Sequence, residues 1–431
     1  MKSHGLNNLI TRGASVIVPF REDIELIRGS RSNLLRGKKV VLALTGGISI
    51  YRVPDIAREL IRHGADVFTF MSREASKLLG PRIMEWATGN PVYVELSGYA
   101  EHVNICTTAN AVVVIPATAN TISKVANGIG DTSVTLCAMT ALGAGVPLLF
   151  VPAMNESMWR NPIIKSNIDK LRSLGVHFVE PVIEEGKAKL APNQEVVDSV
   201  IDLLSPKDMN GLSVLITSGP THEYIDATKY ITTPSSGLTG YYFAREAMAR
   251  GARVTLIEGP VGISDPPGVE VYKVKSVLEM YDTAIKLVSK RHYDLAVLTA
   301  APLDFYVKDR VSGKLSSDLD RVVVELLQAP KIARDLKKFS PGTFLIAYKA
   351  EVGITEEELI ARTLKRAAEG DWDLALAHLV SEGKGFGTEK DEVIVLSKGG
   401  VIRRLGPLHK RELAREVLSL YLSTARMRVK G

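Results

Sequence analysis

Short apolar runs alternate with amphipathic stretches along most of the chain, and this rhythm limits the possible folds more than any other feature. In the first half, apolar runs stand at 38–44, 65–71, 111–116 and 147–153. They are rich in Val, Ile and Leu and are bounded by Gly or Pro, which is typical of buried parallel strands. The stretches between them, such as 53–64, have the pattern of crossover helices. The rhythm predicts a doubly wound α/β sheet.

The rhythm breaks at 203–211, where LLSPKDMNG forms a polar connector that contains Pro and Gly. A second α/β series then begins, with apolar runs at 212–220, 253–260, 293–301, 344–348, 374–377 and 392–397. We therefore expect two doubly wound, Rossmann-like α/β domains, at 38–205 and 206–431. Residues 1–37 fit neither series and are expected to be an N-terminal extension that packs on the first domain. A length of 431 residues suits two domains that each have a core.

Composition excludes several classes of protein. Hydrophobic residues make up 45% of the chain and charged residues 24%, which is typical of a globular protein and not of a disordered one. The net charge of +6 favours anionic ligands weakly, and no Lys/Arg-rich tract or RNA-binding motif is present, so we expect no nucleic-acid partner. The apolar runs are too short to span a bilayer and no signal-peptide core is evident, so we expect no membrane association.

The chain has only two cysteines, Cys106 and Cys137. Two cysteines do not make a disulfide framework, so we expect a reducing, cytoplasmic setting in which both are small buried hydrophobic residues. Glutamine is also scarce, with only Gln194 and Gln328, which is compatible with a thermophilic source.

Three polar segments of the first half follow predicted strands. TGGISIYR (45–52) lies between a strand and a helix, where backbone N–H groups can bind a phosphate. PATANTISK (116–124) and PAMNESMW (152–159) follow two further strands. The carboxyl ends of parallel strands meet at one edge of the sheet, so we expect a ligand crevice there. For the first segment alone, a tight glycine turn without a ligand is an equally good explanation.

Together these segments resemble those of the flavin-dependent cysteine decarboxylases, above all the phosphopantothenoylcysteine decarboxylases. The resemblance implies a flavodoxin-like flavoprotein domain that binds FMN. The FMN contacts that it implies are Gly47, Ser49, Ser72, Thr118, Ala119 and Asn120.

The same resemblance implies catalytic roles for His102 and Asn155. A lone histidine is more often structural, but His102 stands in the short segment before the PATAN strand, where the family has its catalytic histidine. It would move a proton while FMN oxidises the cysteinyl thiol and CO2 is lost. Asn155 would hold the substrate carboxylate or amide. Bacterial members of the family also carry a reactive cysteine after PAMN, whereas 184–193 contains none, which leaves the donor of the final proton open.

The segment 215–244 resembles the beginning of the phosphopantothenate–cysteine ligases. The matching residues are Gly219, Pro220, Thr221, Asp226, Ser235, Ser236, Gly237 and Gly240. Ser-Ser-Gly at a strand–helix turn can bind a phosphate, although an ordinary glycine-rich turn is the alternative when it is considered alone. Thr233 stands where the family has asparagine; its shorter hydroxyl can donate one hydrogen bond but does not reproduce the amide.

Further along, the segment 299–315 resembles a nucleotide-binding block of these ligases. The resemblance implies that Asp304 contacts the base or ribose and that Lys314 stabilises charge at the α-phosphate. A solvated surface lysine is the alternative for Lys314. The other implied nucleotide contacts are Gly219, Ser235, Ser236, Gly237, Pro330, Lys331, Ile332, Ala333, Tyr348 and Lys365, with Arg366 as the alternative to Lys365. His378 replaces a family asparagine while GFG at 385–387 is retained, which leaves the choice between CTP and ATP open.

Over 38–431 the order of domains resembles that of fused coenzyme A biosynthesis enzymes. The resemblance implies that the ligase uses CTP, Mg2+ and L-cysteine on 4′-phosphopantothenate, and that the decarboxylase converts the product to 4′-phosphopantetheine. It also implies a homo-oligomer of ligase dimers and decarboxylase trimers, up to a dodecamer. No metal ligand is assigned. The rival hypothesis is a flavin-binding regulatory protein with a degenerate site, but His102 and Asn155 are both present. A redox flavoprotein or a nucleotide-sugar enzyme would explain neither the SSG segment nor the Lys314 block.

Overall fold

The computed structural model describes residues 22–381 and 387–430, with the side chains of the last helix described to 425. The chain divides into two compact units between Val200 and Ile201. Each unit has its own mainly parallel sheet with helices on both faces, as the apolar rhythm predicts.

The first unit is built from short strands joined by helices. In chain order its elements are α1 (Glu22–Ile27), β1 (Lys39–Leu44), a 3₁₀ helix (Ile48–Arg52), α2 (Val53–Arg62), β2 (Asp66–Met71), α3 (Arg73–Leu78), α4 (Pro81–Thr88), β3 (Val92–Tyr93), α5 (Glu101–Cys106), β4 (Ala111–Ala117), α6 (Ala119–Ala126), α7 (Ser133–Gly143), β5 (Leu148–Pro152), β6 (Met154–Asn155), α8 (Glu156–Trp159), α9 (Pro162–Ser173), β7 (His177–Phe178), β8 (Val182–Glu184), β9 (Lys187–Lys189) and α10 (Asn193–Leu203), within which the division falls.

The main sheet of this unit has the order β3-β2-β1-β4-β5-β7, with all strands parallel. It is the doubly wound order 3-2-1-4-5-6, in which the strand order reverses between β1 and β4. All seven residues of β4 are buried, since helices cover both faces of the sheet. On α2, Ile56, Leu60 and Ile61 are buried at the spacing of one helix face. A small separate sheet has the order β6-β9-β8.

Residues 22–37, from the predicted N-terminal extension, pack on the first unit. Leu34 and Leu35 are buried, and the N–H of Leu35 donates to the carbonyl of His63 at 2.8 Å. A Cβ on Gly64 would stand 2.9 Å from the backbone N of Arg36, so the chain passes tightly over the end of α2. Residues 1–21 of the predicted extension lie outside the described residues.

Cys106 and Cys137 form a disulfide between α5 and α7, with their Cα atoms 5.7 Å apart. The expectation that they are two independent buried hydrophobic residues is wrong, although both are fully buried in the core. They are separated by 31 positions in sequence, and no spacing motif relates them. Only the packing of α5 against α7 brings them within the distance that a disulfide requires.

The second unit has a larger sheet. Its elements are β10 (Ser213–Ser218), β11 (Glu223–Tyr224), β12 (Tyr230–Ile231), α11 (Leu238–Ala249), β13 (Arg253–Glu258), β14 (Glu270–Lys273), α12 (Val277–Lys290), β15 (Leu295–Leu298), β16 (Phe305–Val307), β17 (Leu326–Gln328), α13 (Ile332–Phe339), β18 (Phe344–Glu351), α14 (Glu356–Glu369), β19 (Leu374–Leu379), β20 (Lys390–Ser397), β21 (Gly400–His409) and α15 (Lys410–Lys430).

Its main sheet has the order β14-β13-β10-β15-β18-β19-β20-β21. The first six strands are parallel, and β20 and β21 are antiparallel additions at one edge. One core lies under α11 and α15 and includes Phe243 and Leu413. The other lies under α12, α13 and α14 and includes Met280, Leu336 and Leu359. The strands β11–β12 and β16–β17 form two short hairpins outside this sheet.

Buried ion pairs hold the end of α10 and the polar connector that follows it against α11 and α15. Asp202 accepts hydrogen bonds from Arg245 at 2.8 Å and from Arg411, and Asp208 accepts from Arg250 at 2.7 Å. The three guanidinium groups are almost completely buried, which is tolerated because each faces a carboxylate. The segment at 203–211 is therefore docked on the second unit.

Among the residues that the structure describes, no helix is both long enough and apolar enough to cross a membrane.

Candidate active sites

The loop after β1 runs tightly between the start of α3 and the end of β4. A Cβ on Gly46 would lie 2.8 Å from the Cβ of Glu74, and one on Gly47 would lie 2.9 Å from the Cγ of Pro116. Only glycine allows so close an approach. The hydroxyl of Ser49 has no hydrogen-bond partner among the described residues. The backbone of Gly46 and Gly47 and the hydroxyl of Ser49 thus lie where the strand order reverses, which is the usual ligand site of such sheets.

Ser72 and Thr118 each begin a helix at this edge. The Oγ of Ser72 accepts from the N–H of Ala75 at 3.1 Å, and the N–H of Ser72 donates to the carbonyl of Leu44 at 3.0 Å. Thr118 is the N-cap of α6, with its hydroxyl 3.4 Å from the N–H of Thr121. Both hydroxyls satisfy helix N–H groups, so they fix the positions of the strand ends.

The residues that follow Thr118 differ in exposure. Ala119 is buried under the start of α6, whereas Asn120 is exposed. No described residue hydrogen-bonds the Asn120 side chain, so its amide is available to a ligand.

His102 lies in the first turn of α5. A helix that precedes a strand of a parallel sheet runs antiparallel to it, so this turn lies toward the edge that carries the glycine loop. The Nδ1 of His102 is buried and has no hydrogen-bond partner among the described residues. Buried polar atoms are normally paired, so the ring nitrogen has an unused function. Cys106, one turn further along the helix, fixes α5 through the disulfide.

Asn155 lies on the small sheet, opposite Lys187 of β9. Its Oδ1 accepts from the N–H of Ser157 at 2.8 Å and caps α8, while its amide nitrogen has no described partner. The segment 184–193 supplies β9 and its turn, and the N–H of Glu156 donates to the carbonyl of Gly186 at 3.0 Å. The cysteine-free segment is thus paired directly with the PAMN segment.

In the second unit, a cavity of about 440 Å³ lies at the carboxyl ends of β10, β15, β18 and β19. Most of the nucleotide contacts implied by the sequence line it: Ser235, Ser236, Gly237, Asp304, Pro330, Lys331, Ile332, Ala333 and Tyr348. These residues come from four separate stretches of the sequence, and the parallel sheet brings them together.

The first turn of α11 forms one wall of this cavity. Gly237 precedes the helix with φ +78°, a left-handed conformation that favours glycine. A Cβ on Gly240 would lie 2.4 Å from the Cβ of Ser218, so α11 packs directly on β10. The N–H of Leu238 lies 3.5 Å from the Oγ of Ser236. The N–H groups of this first turn and the helix dipole favour an anion here.

An ion pair and a fixed turn form the opposite wall. The Nζ of Lys331 donates to the carboxylate of Asp304. The Nε1 of Trp372 donates to the carbonyl of Ala333 at 2.6 Å, and a Cβ on Gly370 would lie 2.4 Å from the same oxygen. Contacts at Lys331 and at Ala333 therefore hold the 330–333 turn.

A polar cluster lies at the β18–β20 side of the cavity. The Tyr348 ring packs edge-on against His378 at 5.7 Å, and its hydroxyl is buried without a described partner. The Nδ1 of His378 lies 3.3 Å from the Oδ1 of Asp391. Burial, together with the charge of Asp391, raises the pKa of Tyr348 well above its ordinary value. Burial also lowers the pKa of the nearby Lys410, an effect that Asp391 opposes.

Three of the implied nucleotide residues do not line the cavity. Gly219 holds a left-handed turn (φ +78°), and its carbonyl accepts from Ala301 at 2.9 Å, so its role in this structure is to shape the rim. Lys314 is exposed on the loop between β16 and β17. Lys365 is exposed on α14, and the neighbouring Arg366 lines the cavity instead. Of the two residues that the resemblance allows at this position, α14 therefore places Arg366 at the cavity.

The structure gives Thr233 a contact that the sequence did not indicate, and it adds three further residues to the cavity wall. Thr233 uses its hydroxyl to donate to the carbonyl of Ala301 at 2.6 Å, which ties the SSG segment to the neighbouring loop. Asp391, Lys410 and Glu369 line the cavity. No local motif marks Lys410. It lies in the cavity wall because α15, which begins at this residue, starts beside β20. Of GFG, residues 385 and 386 lie outside the described residues, and Gly387 lines the cavity.

No group of three or more His, Cys, Asp or Glu side chains in 22–381 and 387–430 has the geometry to hold a metal ion.

Family models match both halves of the chain. The model described as "Flavoprotein" matches residues 28–205, and the model described as "DNA/pantothenate metabolism flavoprotein C-terminal domain" matches residues 209–424. The solved structure of SpaF, described as an FMN-dependent cysteine decarboxylase, is 31% identical, covers 39% of this chain and 97% of its own, and has a TM-score of 0.35.

Two relatives match nearly the whole chain, and both are named coenzyme A biosynthesis bifunctional protein CoaBC. The protein from Thermococcus kodakarensis is 44% identical over 397 residues, which cover 91% of this chain and 96% of the relative. The protein from Methanocaldococcus jannaschii is 34% identical over 396 residues, with the same shares covered. The chain therefore belongs to the CoaBC family of bifunctional coenzyme A biosynthesis proteins.

Proposed function

We propose that the chain performs two consecutive reactions of coenzyme A biosynthesis in separate domains. Residues 206–431 join L-cysteine to 4′-phosphopantothenate through an acyl-cytidylate, and residues 38–205 decarboxylate the product to 4′-phosphopantetheine with FMN. The observation that carries the proposal is that each sheet gathers its own set of motif residues at its carboxyl edge. A regulatory flavoprotein with a degenerate site is not favoured, since His102 and Asn155 are both present.

The residues of the first unit fit FMN. Gly46 and Gly47 let the loop backbone pack closely against Glu74 and Pro116, and Ser49 beside them has a hydroxyl with no partner among the described residues. These groups suit the phosphate, while Thr118, Ala119 and Asn120 border the place for the ring. When bound, FMN supplies the two-electron chemistry of the reaction.

The protein's own residues then hold the substrate and move protons. The unpaired Nδ1 of His102 accepts a proton released at the substrate thiol and can return it later. The Asn155 amide nitrogen donates to the substrate carboxylate or amide, because its oxygen is already engaged in capping α8. Ser72 contributes by fixing the start of α3 at the rim.

In the ligase, the helix N–H groups near Ser235, Ser236 and Gly237 bind phosphate oxygens. A carboxylate oxygen of 4′-phosphopantothenate attacks the α-phosphorus of the nucleotide and diphosphate leaves. Lys314, on the loop beside the cavity, stabilises the negative charge that grows at this phosphorus. The amine of cysteine then attacks the acyl carbon, and the nucleoside monophosphate leaves.

Asp304, Tyr348 and the 330–333 turn are the proposed contacts of the nucleoside, with Arg366 replacing Lys365 near its phosphates. We infer that Mg2+ arrives with the triphosphate, because the described residues contain no cluster of three metal-ligating side chains. Mg2+ commonly binds through substrate phosphates and one or two carboxylates.

We also propose a cytoplasmic homo-oligomer of ligase dimers and decarboxylase trimers. For the decarboxylase trimer, the support is two exposed apolar side chains directly after the glycine loop, Ile48 (79% exposed) and Tyr51 (70% exposed). Apolar exposure of this kind beside a ligand loop suits a subunit contact.

The decisive experiment is incubation of the FMN-loaded protein with 4′-phosphopantothenate, cysteine and either CTP or ATP, followed by mass spectrometry of the products. We expect 4′-phosphopantothenoylcysteine and then 4′-phosphopantetheine, with CTP as the better nucleotide. His102→Asn should stop the second product and spare the first. Lys314→Gln should slow diphosphate release by about 10²–10³-fold and spare decarboxylation of added 4′-phosphopantothenoylcysteine.

Loss of both reactions in one folded variant would contradict the assignment of the two reactions to separate domains. An unchanged rate of diphosphate release in Lys314→Gln would identify Lys314 as a solvated surface lysine. Colourless protein that fails to take up added FMN would contradict the flavin site.

A further inference from the structure

A long loop and a short hairpin lie side by side at the rim of the ligase cavity. The loop, residues 308–325, joins β16 to β17, and the chain on its two sides reaches the cavity residues Asp304 and Pro330. The β11–β12 hairpin leads directly to Thr233, which is also at the rim. A loop of this length loses much conformational entropy when it is fixed, so its position depends on contacts outside itself.

Backbone hydrogen bonds join the hairpin to the loop just before Lys314. The N–H of Val311 donates to the carbonyl of Ile225 at 3.0 Å, and the N–H of Ala227 donates to the carbonyl of Gly313 at 3.1 Å. Beside them, the Arg310 guanidinium lies over the Tyr224 ring, 4.8 Å from its centroid. The loop is therefore docked on the hairpin up to the residue that precedes Lys314.

Asp226 makes the contact on the other side of Lys314. Its Oδ2 accepts from the N–H of Leu315 at 3.0 Å, a bond between residues 89 positions apart. Its Oδ1 accepts from the N–H groups of Thr228 and Lys229 at 2.6 and 2.7 Å. The Leu315 N–H, followed by that of Thr228, holds the pKa of Asp226 well below its usual range, so the group is an anion at any working pH.

We propose that Asp226 is a positioning residue for nucleotidyl transfer, whose carboxylate fixes the backbone at Leu315 so that Lys314 is presented to the reacting phosphate. The proposal rests on the proposed function of Lys314. A lysine side chain is long and flexible, so its ammonium is preorganised only if its backbone is fixed. The bonds at Gly313 and Leu315 hold the two peptides that flank it.

Lys229 also reaches this carboxylate but has a different role. Its Nζ lies 2.9 Å from the Oδ2 of Asp226, and its side chain is 54% exposed. It belongs to the hairpin and makes no described contact with the loop. Lys229→Gln therefore removes an ion pair of Asp226 without removing the bond to Leu315, and is the matched control.

Asp226→Asn replaces one carboxylate oxygen by an NH2 group and so tests the contacts of the two oxygens separately. The asparagine oxygen can still accept from Thr228 and Lys229, which preserves the hairpin turn. Its NH2 group then faces the N–H of Leu315, donor against donor, so the contact with the loop is lost. We expect kcat for diphosphate release to fall by about 10²-fold, as for other misplaced catalytic groups. Lys229→Gln should remain near wild type, and decarboxylation should be unchanged in both variants.

A double-mutant cycle tests whether Asp226 acts through Lys314. If it does, Asp226→Asn should slow Lys314→Gln little further, because residues that act as a unit are not additive. Hydrogen exchange provides a readout independent of turnover: the Leu315 amide should exchange faster in Asp226→Asn and not in Lys229→Gln, while the exchange of β10 and β15 stays unchanged.

The outcomes separate this inference from the proposed function. A normal rate in Lys314→Gln would refute the role of Lys314 itself. An impaired Lys314→Gln beside a normal Asp226→Asn, or rate losses that multiply in the double variant, would overturn the positioning role. Faster exchange throughout the second unit of Asp226→Asn would show that Asp226 maintains the fold instead, and would also overturn it.

Discussion

Breaking the Cys106–Cys137 disulfide should destabilise the first unit without altering the second. The bond joins α5 to α7 and closes a loop of 31 positions. A disulfide stabilises mainly by restricting the unfolded chain, and the cost of releasing it grows with the logarithm of the loop length. For this loop the chain-entropy relation gives about 3.7 kcal/mol at 25 °C.

That free energy should be visible as a shift of unfolding. For a unit of this size, each kcal/mol corresponds to about 2–4 °C in Tm, so we expect the first unit to unfold roughly 7–15 °C lower when the bond is absent. The second unit contains neither cysteine and is an internal control.

The assay compares wild type with the Cys106→Ser/Cys137→Ser variant in guanidinium chloride, with and without dithiothreitol. Release of FMN reports on the first unit, and far-UV circular dichroism reports on both. Reductant should lower the midpoint of the first transition in wild type and leave the double variant unchanged. Alkylation with iodoacetamide under denaturing conditions should label no cysteine before reduction and two after it.

Two results would refute the reasoning. Alkylation of both cysteines without reductant would show that the bond does not form. An intact bond whose reduction leaves the first midpoint unchanged would show that the unfolded chain gains no measurable freedom when the loop opens.

Two further predictions concern the second unit. Arg366→Ala should raise KM for the nucleotide about tenfold in steady-state kinetics, whereas Lys365→Ala should not, because of these two residues only Arg366 lines the cavity. A larger rise of KM in Lys365→Ala would show that Lys365 is the nucleotide contact. Burial raises the pKa of Glu223, although the hydrogen bond from the Val277 N–H opposes this shift. Because the folded state holds this proton more tightly than the unfolded state, the free energy of unfolding of the wild type falls as pH rises above the ordinary glutamate pKa of about 4.3. Glu223→Gln keeps the oxygen that accepts from Val277 at 2.7 Å and should stabilise the unit at pH 7 but not at pH 3.5; urea midpoints that differ equally at both pH values would contradict this.

The sheets were predictable because their strands are buried on both faces. β4 is wholly buried and β10 nearly so, and such strands read as continuous apolar runs that local sequence reveals. The polar residues at their carboxyl ends were predictable for the same reason, since a parallel sheet brings these ends to one edge. The cavity wall that contains Ser235, Asp304 and Tyr348 follows from this rule.

Features that depend on packing between distant segments were not predictable. The disulfide needs α5 to lie on α7, and neither cysteine stands in a recognisable spacing. The choice between Lys365 and Arg366 depends on the rotation of α14 about its axis, because neighbouring helical residues point about 100° apart. Lys410 reaches the cavity only because β21 ends beside β20.

Asp226 shows why a motif and its physical role are separate questions. Its match to the ligase pattern marks it from the sequence, but nothing local indicates that its carboxylate bonds to Leu315, 89 positions away. Lys314, read from the sequence as a catalytic cation, lies outside the cavity wall on a loop that must be held in place. The two observations explain each other, since an exposed lysine can act at a fixed phosphate only if a second element fixes its backbone. In our proposal the hairpin that carries Asp226 is that element, and it acts on Lys314 through the Leu315 backbone and not through a contact with the lysine side chain.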